Sequence, residues 1–409
     1  MMQPFLTRVI LKNYKSIAGC DVRLPPLCFL VGRNGVGKSN FIDALRLISD
    51  SLNTSLDHAL RDRSGINEVR RRSSGHPTHF GIRVEFRMSD NSYGFYAFRV
   101  GSQKQGGFEV QREECRIYEN TALDQHPVYY AVESGEVTES SLPTPPAAKS
   151  DRLYLVNLSG FEEFRPLYDS LSRMGFYNLN PDTIRTEQSP DVGLVLKRDG
   201  SNLASVLDKL ETNSPQAKVK VEEFLSKVVP DIKGVTARSV LSKETIEFRQ
   251  ATQGSANPWR FLASNMSDGT LRALGILVAL FQSAAIKNNP TPLIGIEEPE
   301  SALHPAAAGA LRDALQIAAK STQVIVTSHS PDLLDDKNIT DESILSVMNE
   351  NGTTRIAGID EASRSAIRDG LYTAGELLRT DQLSADTSQI NEQCTIQREL
   401  FSKSVDVDG

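Results

Sequence analysis

Residues 32–40 read GRNGVGKSN, a glycine, four residues and then Gly-Lys-Ser, and no other stretch limits the fold as tightly. The apolar LCFLV at 27–31 predicts a buried strand, and FIDALRLISDSL at 41–52 has helical periodicity. Strand, glycine loop and helix in that order make a phosphate-binding loop. Gly32, Gly35 and Gly37 lack the Cβ that would keep the backbone from a polyphosphate, so successive N–H groups can wrap it. The expected nucleotide contacts are Asn34, Gly35, Val36, Gly37, Lys38, Ser39 and Asn40. The helix start adds its positive dipole end. Lys38 would reach the β- and γ-phosphates of ATP, and the Ser39 hydroxyl would bind Mg²⁺. A glycine-rich turn in an ordinary α/β unit is the alternative, and it leaves Lys38-Ser39 without a purpose.

The chain has 409 residues and 39% hydrophobic content, enough for a large core and two or three domains. A net charge of −7 argues against a generally basic nucleic-acid coat but allows a local basic groove. Cys20, Cys28, Cys115 and Cys394 form no C-x-x-C pair, so neither a zinc site nor a disulfide framework is expected, and reduced cytosol is the natural compartment. The N-terminus lacks the order of a signal peptide. The most apolar segment, 271–286, contains Arg272 and Gln282 and predicts a buried helix, not a membrane span.

Strands are expected at 5–13 and 21–24, with a turn at 16–19. The segment after the loop helix carries Arg61, Arg63, Arg70, Arg71 and Arg72. A solvated loop is favoured there over a phosphate-contacting surface, because no aromatic residues are interleaved. Period-two alternation from Phe80 to Tyr118 predicts a β-meander, and the Pro-rich stretch 140–151 leads to a further strand at 152–158. Helices dominate 161–229, with Ser201 as an N-cap, and the strands 232–240 and 244–250 return the chain to the sheet.

Three later stretches extend the site. NMSDGTLRAL at 265–274 puts Ser267, Asp268, Gly269 and Thr270 before the apolar helix, either a second anion-binding helix end or simply a good N-cap. PLIGIEEPESALHP at 292–305 is a strand ending in Glu297 and Glu298. One carboxylate can serve Mg²⁺ while its neighbour polarises a water aimed at the γ-phosphate; a surface acidic turn would explain neither the apolar lead-in nor the EEPE run. VIVTSHSPDLL at 324–334 is a third strand with His329 just past its end. One helix and one strand fit between Glu298 and His329, and such a βαβ step sets the two side by side at the ends of neighbouring parallel strands.

These pieces, in this order, resemble the ABC-type ATPase head of the structural-maintenance-of-chromosomes (SMC) and RecF group, and in particular the ATPases allied to the AbiEii and OLD proteins of bacterial and phage conflict systems. GRNGVGKSN corresponds to Walker A, MSDGT to the signature, IGIEEPE to Walker B, SALHP to the D-loop and TSHS to the switch histidine. The resemblance implies an α/β P-loop NTPase with an antiparallel β-subdomain and a helical lobe. Its expected parts are a head at 1–160 and 231–360, a helical insertion at 161–230, and a C-terminal segment at 361–409. It also implies that Glu298 is the catalytic base, that Glu297 and Ser39 serve Mg²⁺, that His329 senses the γ-phosphate and that Lys38 holds it. Two copies would sandwich ATP, with Ser267 and Gly269 reaching the opposite subunit's nucleotide. Walker B departs from the transporter pattern in having Glu297 for aspartate, and the signature reads Ser-Asp-Gly-Thr for Ser-Gly-Gly-Gln. Gln188 is only a guess at the Q-loop residue.

The expected function is that of a cytoplasmic, dimerising ATPase controlling a nucleic-acid-linked process, in prokaryotic anti-phage defence or DNA repair, with DNA as a possible ligand and no membrane partner. A full OLD nuclease would add acidic metal ligands after the ATPase. Only 80 residues follow His329. Asp406 and Asp408 could pair around a metal, but a short polar tail favours a disordered end, so no intrinsic nuclease is expected and the effector is expected on a separate polypeptide. The alternatives are a non-hydrolysing, ATP-gated scaffold and a transporter's nucleotide-binding subunit.

Overall fold

The computed structural model describes residues 3–73, 75–118, 127–254, 257–286, 290–395, 400–402 and 405. Asp406 and Asp408 lie outside the described residues. The chain forms two compact units: Met1–Met174 with Thr340–Asp369 and Asp381–Gly409, and Gly175–Ile339 with Gly370–Thr380.

The first unit opens with antiparallel strands β1 (Leu6–Tyr14) and β2 (Ile17–Arg23), followed by β3 (Leu27–Val31). The β1–β2 turn is tighter than the expected 16–19, with Asn13 and Lys15 in the left-handed region at φ 54° and 47°. Ile17 already belongs to the sheet because it is fully buried and pairs with Thr354 from much later in the chain. The meander is β4 (His79–Arg87), β5 (Tyr93–Ser102), β6 (Phe108–Tyr118), β7 (Val128–Glu133) and β8 (Glu136–Ser140), each antiparallel to the next, with β4 also paired to β1. Strand alternation sends Ile82, Val84, Phe86, Tyr96 and Phe98 into the core.

The strand expected at 152–158 is instead a 3₁₀ turn at Tyr154–Val156. The buried carboxylate of Glu113 accepts the backbone N–H groups of Tyr154 at 2.5 Å and Leu155 at 2.9 Å, together with the hydroxyls of Tyr96 at 3.1 Å and Tyr130 at 2.7 Å. Two consecutive N–H groups aimed at one carboxylate cannot point alternately as a ladder requires, so the chain curls. Of the arginines in the basic segment Arg63 is buried, Arg70 and Arg71 are half-buried, and Arg61 and Arg72 are exposed. Arg61 pairs with Asp57, Arg63 with Asp43 and Asp50, and Arg72 with Glu68, while Arg70 donates to Pro77 O and Arg71 to Thr353 Oγ1.

In the second unit, β9 (Gly175–Tyr177) precedes the helices Leu203–Asn213 and Pro215–Val228. The first of these helices is capped at Asn202, not Ser201, and the Asn202 side chain turns away to bind Lys197 N and Val195 O. Strands β10 (Ile232–Val240) and β11 (Lys243–Gln250) occur where expected, but they join β12 (Trp259–Leu262) in a separate antiparallel sheet. The apolar helix Asp268–Phe281 is buried almost all round. β13 (Leu293–Glu297) then runs parallel to both β9 and β14 (Gln323–Ser328), and the helix Ala308–Ala318 makes the crossover between β13 and β14.

Back in the first unit, β15 (Ile344–Glu350) lies parallel to β3 and antiparallel to β16 (Thr353–Gly358). This pair packs behind the phosphate-type loop. No described helix is long and apolar enough to cross a membrane.

Candidate functional site

The glycine loop leaves β3 and ends at the helix Lys38–Asn53. Gly35 and Gly37 have φ 78° and 104°, values that L side chains rarely adopt. Close approach adds a second requirement, since a Cβ on Gly37 would meet Thr354 Oγ1 at 2.1 Å and one on Gly32 would meet Val347 O at 2.2 Å. The loop is therefore cast against β15 and β16. Gly37 caps the helix without a side-chain hydrogen bond, which keeps the first-turn N–H groups clear of a side-chain acceptor. Lys38 is 5% exposed, and its Nζ donates to Gly32 O at 2.6 Å and Arg33 O at 3.0 Å, across the loop's mouth.

A short chain of hydroxyls supports the loop from below. Asn40 donates its amide to Ser16 Oγ at 2.6 Å, Ser16 and Thr354 share a 2.6 Å hydroxyl contact, and Thr354 donates to Val36 O at 2.7 Å. Asn40 thus has a structural partner in Ser16. Asn34, Gly35 and Ser39 are exposed. A glycine turn, a lysine lying over it and an exposed hydroxyl at the helix start have the chemistry suited to a polyphosphate with its divalent metal.

In the second unit, β13 ends at Glu297 and the backbone turns sharply. Glu298 has φ 44°, a left-handed conformation costing a non-glycine residue about 1–2 kcal/mol. Two restraints hold it: Glu298 N donates to Thr327 O at 3.0 Å, and Arg272 Nη2 donates to both Glu297 O and Glu298 O at 3.1 Å. His329 stands beside Glu298 as parallel neighbours require, with Nδ1 3.7 Å from Glu298 Oε1 and equally far from Glu300 Oε1. Glu300 also accepts the Ser328 hydroxyl at 2.7 Å and the His329 N–H at 3.2 Å, so the third carboxylate of EEPE fixes the turn that carries the histidine.

Ser267 caps the helix Asp268–Phe281 through Thr270 N at 3.3 Å and is exposed, as is Asp268, which pairs with Arg185. Gly269 faces the turn after Glu298, where a Cβ would meet Ala302 O at 2.4 Å. Gln188 is removed as a metal-facing residue. It is buried, and both ends of its amide are committed, Nε2 to Gly200 O and Oε1 to Ala204 N.

Arg272, Arg198 and Glu300 are absent from the sequence-based set. Arg198 Nη2 reaches Glu297 Oε1 at 3.2 Å, so this carboxylate has a cation partner of its own. Burial lowers the Arg272 pKa, although Glu298, Glu300 and Glu297 all oppose that shift. Its spacing in an apolar helix was the one available signal, because a charge among leucines needs a buried acceptor. Replacing Arg272 with leucine is expected to lower the unfolding free energy by about 2–3 kcal/mol, since the carbonyls of Leu179, Glu297 and Glu298 lose their donor. Urea unfolding would measure it, and a loss below about 0.5 kcal/mol would mean that water replaces the guanidinium without cost.

Fold and loop together are those of an α/β P-loop NTPase with the fold of an ABC-type head. A family model described as "AAA ATPase domain" matches residues 5–227, more than half of the chain, and the protein belongs to that family. A second, described as "AAA domain, putative AbiEii toxin, Type IV TA system", matches residues 195–335. No curated protein matches. Among solved structures, the SmcHead bound to the C-winged helix domain of ScpA is similar with a TM-score of 0.55 at 14% identity, covering 88% of this chain and 99% of that one. The Smc head domain with an extended coiled coil from Pyrococcus furiosus has a TM-score of 0.49 at 13% identity, covering 90% of this chain and all of that one.

Proposed function

We propose that the protein binds and hydrolyses ATP, closes head-to-head around it as a dimer, and uses that closure to control a separate effector in a nucleic-acid-linked process, prokaryotic anti-phage defence or DNA repair. The observation that carries the nucleotide reading is the glycine loop with Lys38 spanning it and Ser39 exposed at the helix start. The AbiEii description of the match at 195–335 supports the conflict-system setting, and the ScpA domain on the SmcHead supports a protein partner.

Residue roles follow the family pattern. Asn34 to Ser39 wrap the phosphates through their N–H groups, and Lys38 places its charge on them. Ser39 and Glu297 would hold Mg²⁺, which supplies neutralisation of the phosphate charge. For that, Glu297 exchanges its Arg198 partner at 3.2 Å for the metal. Glu298 takes the proton of the attacking water, and its left-handed backbone sets the direction of the carboxylate. His329, 3.7 Å from Glu298 Oε1, orients that carboxylate and reads the γ-phosphate. Ser267 and Gly269 complete the site of the partner copy.

Glu298→Gln keeps shape and size but removes the base. Light scattering of this variant with Mg-ATP is expected to give twice the mass seen without nucleotide, and phosphate release is expected to fall at least about 100-fold below wild type. Unchanged mass together with wild-type turnover would remove both the sandwich and the base assignment.

A further inference from the structure

The turn from Glu297 to His304 contains no glycine, yet Glu298 and Ala302 both stand in the left-handed region, at φ 44° and 65°. One helix, Asp268–Phe281, meets both of them. Gly269 packs on the second, where a Cβ would meet Ala302 O at 2.4 Å. Arg272, three residues on and so on the same helix face, grips the first, donating Nη2 to Glu297 O and Glu298 O at 3.1 Å each. Its Nη1 reaches Leu179 O at 3.2 Å. The peptide plane before the Glu298 Cα is thus held at both ends, because Glu298 N donates to Thr327 O at 3.0 Å, and the plane after it is held at its oxygen. Those two planes define φ and ψ of Glu298, and with them the direction of its Cα–Cβ bond.

Folding economy does not account for this arginine. The helix around it is apolar, a charge there is costly to desolvate, and its Nε is buried without an acceptor among the described residues. A fold that needed only a filled space would be served by an apolar side chain over a turn that aimed no carbonyls at it. What the guanidinium adds is a fixed orientation for one carboxylate-bearing residue.

We propose that Arg272 is the positioning residue of the Glu298 carboxylate and that, because it rides on the helix capped by Ser267, the base is set only when that helix is seated on the partner copy's nucleotide. This rests on the reading of Glu298 as base and of Ser267 and Gly269 as contacts to the opposite copy's nucleotide. A helix is stiff over its first two turns, so a shift that brings Ser267 onto a phosphate carries Gly269 and Arg272 with it. A left-handed residue freed of its restraints relaxes toward ordinary backbone angles, and its carboxylate swings away. Closure and hydrolysis are coupled through one guanidinium.

The test is a double-mutant cycle on the full chain, read as phosphate release at saturating ATP. Arg272→Met is expected to slow release at least about tenfold when Glu298 is present and by less than about twofold in the Glu298→Gln background, where a residue acting only through Glu298 has nothing left to position. Arg272→Lys, which keeps a cation able to hold carbonyls, should recover part of the loss. In the Glu298→Gln background, light scattering should show the mass doubling at an ATP concentration within about twofold whether or not Arg272 is replaced. Slowing by the same factor in both backgrounds, or no slowing, overturns the proposal. Loss of the doubling on replacing Arg272 overturns it too, since the arginine would then make the closure itself. If Arg272→Met does not fold, the cycle with Arg272→Lys decides by the same non-additivity. Wild-type turnover in Glu298→Gln, or a mass that never doubles, would remove the base or the sandwich, and either failure is visible before Arg272 is touched.

Discussion

Lys38→Ala is expected to weaken ATP binding by about 100-fold, the equivalent of roughly 3 kcal/mol for a charge-assisted contact with phosphate. The side chain is almost wholly buried and already lies over the loop, with its ammonium 2.6 Å from Gly32 O and 3.0 Å from Arg33 O. Little conformational entropy is therefore left to lose when the nucleotide arrives. Lys38→Arg should not rescue the loss. A planar guanidinium cannot act as a compact point charge between two carbonyls so close together. Titration calorimetry with ATP measures the affinity, and a urea curve on the same proteins separates a binding defect from an unfolded loop. An affinity within about threefold of wild type, with an intact fold, would remove Lys38 from the phosphate site.

The loop was legible because everything it requires is local: an apolar strand, glycines at fixed spacing, then a helix. The β13–helix–β14 step was legible for the same reason, and it puts Glu298 beside His329. Side chains whose partners lie far along the chain were not. Glu300 looks like one more acid of an acidic turn, yet it anchors Ser328 and His329. Arg63 looks like part of a basic surface, yet its acids are Asp43 and Asp50, in the helix Lys38–Asn53. Alternation found β10 and β11 but could not say which sheet they join, because period two reports the buried face and not the neighbour. The apolar run at 152–158 failed as a strand because Glu113, remote in sequence, captures two of its N–H groups.

Asp43→Asn is expected to lower the unfolding free energy by about 3 kcal/mol, because Lys15 loses its acid and the buried Arg63, with Arg46, keeps only Asp50. The carboxylate lies 2.5 Å from Lys15 Nζ, 2.7 Å from Arg46 Nη2 and 3.0 Å from Arg63 Nη2, and it accepts the Tyr14 hydroxyl at 2.9 Å. Burial alone would raise its pKa, but Arg63, Lys15 and Arg46 outweigh burial and bring it to about 2 from the usual 3.8. A depressed folded-state value means that the unfolded chain takes up the proton first as the pH falls. The stabilisation is thus complete above the unfolded pKa of about 4 and is lost as the pH drops through about 2, a change of roughly 2 kcal/mol. Urea unfolding at pH 5 and pH 2.5 should show wild type losing more stability than Asp43→Asn, with the difference isolating this group from other carboxylates. Parallel losses would place the proton elsewhere. Asp43 lies five residues after Lys38 in the same helix, and Lys15 immediately precedes Ser16, which receives the Asn40 amide. The acid that neutralises the cations therefore also ties the β1–β2 turn to the helix that begins with Lys38, so a variant with a weakened cluster is expected to bind ATP less tightly even where it remains folded.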